Sequence, residues 1–130
     1  MLIDIDHFKQ INDLLGHGGG DDVLRQFAGL LRERMRRSDI LCRFGGEEFV
    51  LLVDNCDVPA LARILETMMR QFRAMRFGSG EDMLDDSTFS AGIAVLDVDG
   101  GDFESLVRVA DARMYRAKAA GRARVIRADS

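Results

Sequence analysis

Two adjacent glutamates follow two adjacent glycines in the stretch RFGGEEFVLL, residues 43–52. Glu47 and Glu48 come directly before the apolar residues 49–53, although a buried strand normally excludes carboxylates. Adjacent glycines are typical of a tight turn, so the pattern predicts a hairpin that holds both acids at one end of a strand. Asp4 lies at the end of another apolar stretch. If that strand pairs beside the hairpin, we expect the three side chains to share one site.

Carboxylates that lie close together repel one another unless a cation lies between them. Oxygen ligands suit Mg²⁺, which takes one or two carboxylates and completes its shell with water and phosphates. A pair of such ions can stabilise both the attacking and the leaving oxygen of a phosphoryl or nucleotidyl transfer. The alternative is that the acids are only solvated at strand ends, the usual situation of Asp. Spacing alone leaves both interpretations open.

The elements that would position these acids follow from the apolar periodicity and the turn residues. They occur in the order β-α-α-β-β-α-β-α-β, which predicts one α+β domain over residues 1–130 with a mixed five-stranded sheet, a central β-hairpin and packed helices. In the first half of the chain the expected elements are a strand at 1–5, a helix that stops at Gly16, a loop at 18–20, a helix from Asp21 and the hairpin strands DILCRF and EEFVLLV. In the second half they are a helix from Pro59, a strand at 87–98 with a bulge or a close approach at Gly92, a helix at 103–119 ended by Gly121, and a closing strand ARVIRA.

Composition narrows the classes of function. The chain has 130 residues and a net charge of −4, and its 18 Lys and Arg residues are dispersed, so a surface for a nucleic-acid polymer is not expected. No apolar stretch approaches the length of about 20 residues that spans a bilayer, and we expect no membrane contact. The two cysteines have no metal-ligand spacing, which favours reduced thiols and a cytoplasmic location.

Four stretches occur together in the order and spacing of one family: LIDIDHFKQINDLLGHGGGDDVL, RRSDILCRFGGEEFVLL, STFSAGIAVL and ADARMYRAKAAGR. They resemble the successive motifs of a GGDEF domain, the catalytic domain of diguanylate cyclases, in its GGEEF variant. The resemblance covers nearly the whole chain. It implies a fold of the nucleotidyl-cyclase palm type, similar to the ferredoxin-like fold. The implied activity condenses two GTP molecules into cyclic di-GMP and two pyrophosphates across a homodimer.

The resemblance also implies roles for individual residues. Two Mg²⁺ or Mn²⁺ ions per active site are expected on Asp4, the carbonyl of Ile5 and Glu47. Either Glu47 or Glu48 would act as the catalytic base. The remaining implied contacts are Asn12, Asp21 and Leu24 for guanine, and the amides of His7, Phe8 and Lys9 with the side chains of Lys118 and Arg122 for phosphate. Taken singly, these residues have ordinary structural interpretations, such as helix capping for Asn12 or a solvated helix end for Lys118.

Arg36 and Asp39 form an RxxD motif similar to the family's inhibitory product-binding site, where an Arg can bind a phosphate or stack on guanine. The family's second arginine is replaced here by Thr67, with Arg63 and Arg70 nearby, so inhibition is expected to be partial or absent.

The chain also lacks the preceding helix and the DxLTGLxNRR-like loop that GGDEF domains normally have. We therefore expect an N-terminally truncated domain and, in the full-length protein, an upstream regulatory domain. The alternative to a cyclase is a weakly active or inactive GGDEF-like module that binds GTP or cyclic di-GMP as a sensor.

Overall fold

The computed structural model describes residues 1–128. They form five strands, three α-helices and one short 3-10 helix. In chain order these are β1 (Leu2–Ile5), α1 (Phe8–Glu33), β2 (Ile40–Arg43), β3 (Glu48–Leu52), α2 (Val58–Ala74), the 3-10 helix (Gly80–Asp82), β4 (Phe89–Gly92), α3 (Phe103–Ala119) and β5 (Val125–Ile126).

The five strands form one sheet in the order β2-β3-β1-β4-β5. Every pairing is antiparallel except that of β4 with β5, so the mixed five-stranded sheet and the α+β class are confirmed. The prediction that the hairpin lies at the centre of the sheet is wrong, because its two strands, β2 and β3, lie at one side of the sheet. β1 is the central strand, and all four of its residues are buried, whereas the hairpin strand β2 lies at one edge of the sheet and is mostly exposed. The complete burial of β1 agrees with its position, in which neighbouring strands lie on both sides and helices cover both faces.

Helix α1 contains a break at Gly16, where φ is 76° and ψ is 172°. The predicted stop at Gly16 is therefore confirmed, because glycine adopts a positive φ at little cost. The predicted loop at 18–20 is wrong, since these residues are helical. A Cβ on Gly20 would lie 2.9 Å from Asn12 Cγ, so this glycine lets the two segments of the helix approach closely. Asp21 consequently lies inside a helix and does not begin one.

The larger core lies between the sheet and helices α1 and α2. Phe27 is its centre, with ring centroids 4.9 Å from Phe72, 5.3 Å from Phe89 and 5.5 Å from Phe49. On the opposite face, α3 covers a smaller cluster that contains Leu2, Val50, Ala110 and Met114. The two faces of β1 therefore have different partners, and α3 packs on the face from which Leu2 projects.

Helix α3 lies directly against β4 at Gly92. A Cβ there would lie 2.6 Å from Met114 N and closer still to the carbonyl oxygen of Ala110, which confirms the predicted close approach. The strand itself is shorter than the predicted span of 87–98, because only residues 89–92 pair. Within residues 1–128, no helix is long and apolar enough to cross a membrane.

Candidate active site

Asp4 and Glu48 lie directly opposite each other on the antiparallel strands β1 and β3. Residues that face each other in this way project from the same side of a sheet. The backbone NH of Ile5 donates to the carbonyl of Glu47 over 3.3 Å, so the pairing continues into the glycine turn. Glu47 and Glu48 are both partly buried. The C-terminal end of β1 and the GGEEF turn thus lie next to each other at the same end of the sheet. Asp4 and Glu48 project there from the face that α3 covers.

Lys118, in the last turn of α3, is the cation of this cluster. Its Nζ lies 2.9 Å from Asp4 Oδ2, and the Asp4 side chain is only 5% exposed. Asp4 Oδ1 is buried and has no hydrogen-bond partner among the described residues. A buried carboxylate oxygen without a partner is costly, so Asp4 retains the capacity to accept a further donor or cation.

The pKa of Asp4 is raised from 3.8 to about 6, chiefly by burial. The Glu47 and Glu48 carboxylates contribute to the rise, and Lys118 opposes it. The pKa of Glu48 is also raised, first by burial and then by Asp111 and Glu47. Asp111 was not singled out from the sequence. It lies seven residues before Lys118 in α3, and this spacing of two helical turns was the available signal.

The acidic side chains of this cluster provide part of a binding site for divalent cations. Among residues 1–128, no three Asp, Glu, His or Cys side chains lie close enough together to hold a metal ion, so Asp4, Glu47 and Glu48 do not form a closed cage of side chains. A set with one or two carboxylates, a backbone carbonyl and substrate phosphates is the usual environment of Mg²⁺. The unpartnered Asp4 Oδ1 and the surrounding negative charge suit such a site.

The other expected phosphate contacts lie in segments that follow the cluster residues in the chain: α1 begins at Phe8, after Asp4, and Arg122 follows Lys118. His7 adopts a left-handed conformation with φ of 57°, and α1 begins at Phe8 without a side-chain cap at its first turn. The first amides of a helix have no acceptor within the helix, so those of Phe8 and Lys9 are suited to bind an anion. Arg122 is exposed in the turn that follows α3, also with a positive φ.

Asp21 and Leu24 line a cavity of about 430 Å³ beside the hairpin, with Phe49 on its wall. Two of the three residues predicted to contact guanine, Asp21 and Leu24, therefore line the same cavity. Asn12 is not among the lining residues; it contacts Gly20, the neighbour of Asp21. The cavity also contains side chains that sequence reasoning missed, namely Arg25, Arg32 and Arg43. Arg25 and Arg32 are seven residues apart, and this spacing predicts that both lie on one face of a helix.

Arg43 also fixes the glycine turn. Its guanidinium donates to the carbonyl oxygen of Gly46 from both Nε, over 3.2 Å, and a terminal nitrogen, over 2.7 Å. A planar guanidinium that makes two such bonds restricts the turn that precedes Glu47. This role could not be read from the sequence, because it depends on the geometry of the turn.

Arg36 and Asp39 lie together outside this region. The backbone NH of Arg36 donates to Asp39 Oδ2 over 2.8 Å, and the two side chains form an ion pair of 3.3 Å. The Arg36 guanidinium also donates to the backbone carbonyls of Asp54 and Asn55, beyond the end of β3. Thr67, where a second arginine was expected, accepts a hydrogen bond from Arg70 over 3.2 Å. The motif is therefore formed, but its arginine already has intramolecular acceptors.

Comparison with known proteins agrees with this geometry. Residues 1–124 match the family model described as "Diguanylate cyclase, GGDEF domain". The chain is 41% identical over 128 residues to the response regulator PleD of Caulobacter vibrioides, covering 97% of this chain and 28% of PleD. It is 43% identical over 125 residues to diguanylate cyclase DgcP of Pseudomonas aeruginosa, covering 95% of this chain and 18% of DgcP. The chain thus spans less than a third of these relatives.

Among solved structures, the GGDEF domain of DgcB from Caulobacter crescentus, in complex with c-di-GMP, superposes with a TM-score of 0.86. The sequences are 30% identical, and the match covers 99% of this chain and 74% of that one. The family match over most of the chain, the two relatives and this structure all agree with the motifs and with the strand order. This chain belongs to the GGDEF domain family of diguanylate cyclases.

Proposed function

We propose that this domain condenses two GTP molecules into cyclic di-GMP and releases two pyrophosphates, with two domains that face each other in a homodimer. The observation that carries the proposal is the buried Asp4 carboxylate, which lies opposite Glu48, bonds Lys118 through one oxygen and leaves the other without a partner. The diguanylate cyclases and the c-di-GMP complex among the relatives support this choice of reaction.

Each half of the reaction forms one phosphodiester bond. The ribose 3′-oxygen of one GTP attacks the α-phosphorus of the GTP held by the other domain, and the bond from that phosphorus to pyrophosphate breaks. Glu47 or Glu48 accepts the proton of the 3′-hydroxyl, and their partly buried position beside Asp4 suits a base. The second, symmetric attack closes the ring.

The residues that bind the substrate have separate tasks. Asp4, Glu47 and the carbonyl of Ile5 would hold two Mg²⁺ or Mn²⁺ ions, which neutralise the triphosphate when bound. Asp21 accepts from the N1 and N2 groups of guanine, and Asn12 can both donate and accept. Lys118, Arg122 and the amides at residues 7–9 bind phosphate oxygens, which places positive charge where the departing pyrophosphate gains negative charge.

The experiment is a turnover assay in which purified protein is incubated with GTP and Mg²⁺ and the products are identified by mass spectrometry. We expect cyclic di-GMP and pyrophosphate from the unaltered protein. Glu47→Gln, a nearly isosteric change, should lower the rate by at least about a hundredfold while the folded structure persists, since it removes both a carboxylate ligand and a candidate base.

The matched control is Glu66→Gln, which makes the same change on an exposed position of α2 and should leave the rate unchanged. Calorimetry with GTP and cyclic di-GMP distinguishes the alternative function. Binding of either nucleotide without any product, at high protein concentration, would refute the cyclase and establish a sensor module.

A further inference from the structure

Asp6 is a buried carboxylate to which the proposed reaction gives no role. Its residue is 2% exposed. Oδ1 accepts a hydrogen bond from Ser90 Oγ over 2.7 Å, and Oδ2 accepts from Thr88 Oγ1 over 2.8 Å. Oδ2 also accepts from the backbone NH of Ala123 over 3.1 Å. One side chain therefore links the end of β1, the strand β4 and the turn that follows α3.

The turn after α3 has an unusual backbone. Gly121, Arg122 and Ala123 are consecutive residues with φ of 117°, 64° and 50°. Residues other than glycine seldom adopt this conformation, and they keep it only where the surrounding contacts impose it. Arg122, a proposed phosphate ligand, is therefore presented by a strained segment whose position depends on its hydrogen bonds.

Four hydrogen bonds restrain residues 121–123. The NH of Gly121 donates to the carbonyl of Lys118 over 3.3 Å, at the end of α3. The NH of Arg122 donates to the carbonyl of Ala117 over 2.9 Å, which ties the turn to its own helix. Arg124 Nε donates to the carbonyl of Arg122 over 2.9 Å, within the turn. The bond from Ala123 NH to Asp6 is the one among these four that reaches the start of α1, because Asp6 directly precedes His7.

We infer that Asp6 is a positioning residue that sets Arg122 at a fixed distance from the amides at the beginning of α1, so that both contact one triphosphate. The inference rests on the proposed GTP site and adds to it a residue that does not itself contact substrate. A carboxylate suits this task because it only accepts hydrogen bonds, and all three neighbours donate to it.

Asp6→Asn is the direct test because it replaces the charged acceptor of the Ala123 NH by a neutral amide oxygen, whose hydrogen bonds are weaker, and leaves one acceptor oxygen where the carboxylate has two. The measurement is a binding cycle with α,β-methylene-GTP, which cannot release pyrophosphate, in the presence of Mg²⁺. The Kd is determined by calorimetry for the unaltered protein, Asp6→Asn, Arg122→Ala and the double variant. Circular dichroism verifies that each protein is folded.

We expect Arg122→Ala to weaken binding by at least about tenfold, as loss of a charged hydrogen bond does. Asp6→Asn alone should weaken it by about three- to tenfold, but by less than about twofold in the Arg122→Ala background, because a residue that acts through another loses its effect with it. Ser90→Ala, which removes a different bond to the same carboxylate, should change the Kd by less than about twofold.

An equal loss from Asp6→Asn in both backgrounds would overturn the inference, since Asp6 would then act on the whole fold. No loss from Asp6→Asn would overturn it as well. If the unaltered protein fails to bind the analogue, the proposed GTP site is refuted. That outcome differs from one in which the unaltered protein binds the analogue and Asp6→Asn leaves the Kd unchanged.

A measurement on the unaltered protein keeps the inference testable if Asp6→Asn does not fold. Amide hydrogen exchange of Ala123 should be slowed by at least about a hundredfold, because its NH is bonded to a buried acceptor. Exchange at the rate of an unprotected amide would overturn the inference.

Discussion

At the residue scale, Asp4 illustrates a conflict between stability and binding. Its carboxylate is buried beside two glutamates, and Lys118 bonds only one of its oxygens. These surroundings disfavour the ionised form, which is the form that binds Lys118 and would bind a cation. Side chains that are held in such an unfavourable state are characteristic of functional sites.

The pH dependence of stability follows from this pKa. Because the pKa is raised from 3.8 to about 6 on folding, the folded state binds a proton more tightly than the unfolded state. Ionised Asp4 therefore opposes folding above pH 6, and this penalty disappears as the pH falls towards 3.8. Asp4→Asn removes the ionisation, so we expect it to raise Tm at pH 7.5 and to abolish turnover.

The measurement is the difference in Tm between Asp4→Asn and the unaltered protein at several pH values. We expect the difference to shrink as the pH is lowered from 7.5 to 4. Asp13→Asn, on an exposed position of α1, is the matched control for removal of a charge. A difference in Tm that is independent of pH would contradict the raised pKa.

Arg36 gives a second prediction at this scale. Its guanidinium bonds Asp39 and the carbonyls of Asp54 and Asn55, so any cyclic di-GMP at the RxxD motif competes with these acceptors. We expect micromolar or weaker binding there. Arg36→Ala should weaken the binding by at least about tenfold, because a charge-assisted contact to phosphate is lost.

Arg37→Ala is the matched control, since it changes the neighbouring exposed arginine. Titration calorimetry with cyclic di-GMP provides the measurement. Binding that is unaffected by Arg36→Ala would locate the product elsewhere, for example in the cavity beside Asp21.

At the element scale, the contact between α3 and β4 places the charged end of α3 near the strands. Gly92 has no room for a side chain, because a Cβ would lie 2.6 Å from Met114 N and 2.9 Å from Arg113 Cβ. Helix α3 carries Asp111 and Lys118, so its distance from β1 decides where both charges lie. The packing of one helix on one strand thus controls the electrostatics of the site.

Gly92→Ala should therefore lower the free energy of unfolding by about 1–3 kcal/mol, because α3 must move away from the sheet. Gly29→Ala is the matched control: nothing lies within 4 Å of its Cβ position in α1, and alanine favours helix by up to about 1 kcal/mol. Urea unfolding of both variants gives the comparison. Equal stability of the two variants would contradict the close packing at Gly92.

At the scale of the whole molecule, a domain that binds one GTP supplies only half of the reacting groups for cyclic di-GMP. The proposed reaction therefore requires two domains, and its rate should depend on their association. We expect the rate per milligram of protein to rise with protein concentration and to level off once the dimer predominates.

Turnover across a hundredfold dilution series, with sedimentation velocity on the same samples, measures this dependence. Glu66→Gln, remote from the proposed site, should follow the same curve. A constant rate per milligram at concentrations where the protein sediments as a monomer would contradict catalysis across a homodimer.

The sequence by itself determined the family, the mixed α+β class, the break at Gly16 and the close approach at Gly92. These features depend on residues near one another in the chain, where glycine conformation and apolar periodicity act directly. Asp4 and Glu47 could be proposed as site residues from the sequence because they occur within recognisable motifs. The helical state of residues 18–20 escaped prediction, since local propensity opposes it and packing against Asn12 favours it.

Only the tertiary structure decided that β1 is the central strand, that Asp111 lies near the acids and Lys118 bonds Asp4, and that Asp6 reaches Ala123 across 117 residues of chain. The presence of three arginines in the cavity beside Asp21 was likewise decided only by the tertiary structure. Such contacts join residues that are far apart in the chain, and their positions follow from strand order and from which helix covers which face. A single sequence does not encode these in any local pattern, because many arrangements satisfy the same periodicity.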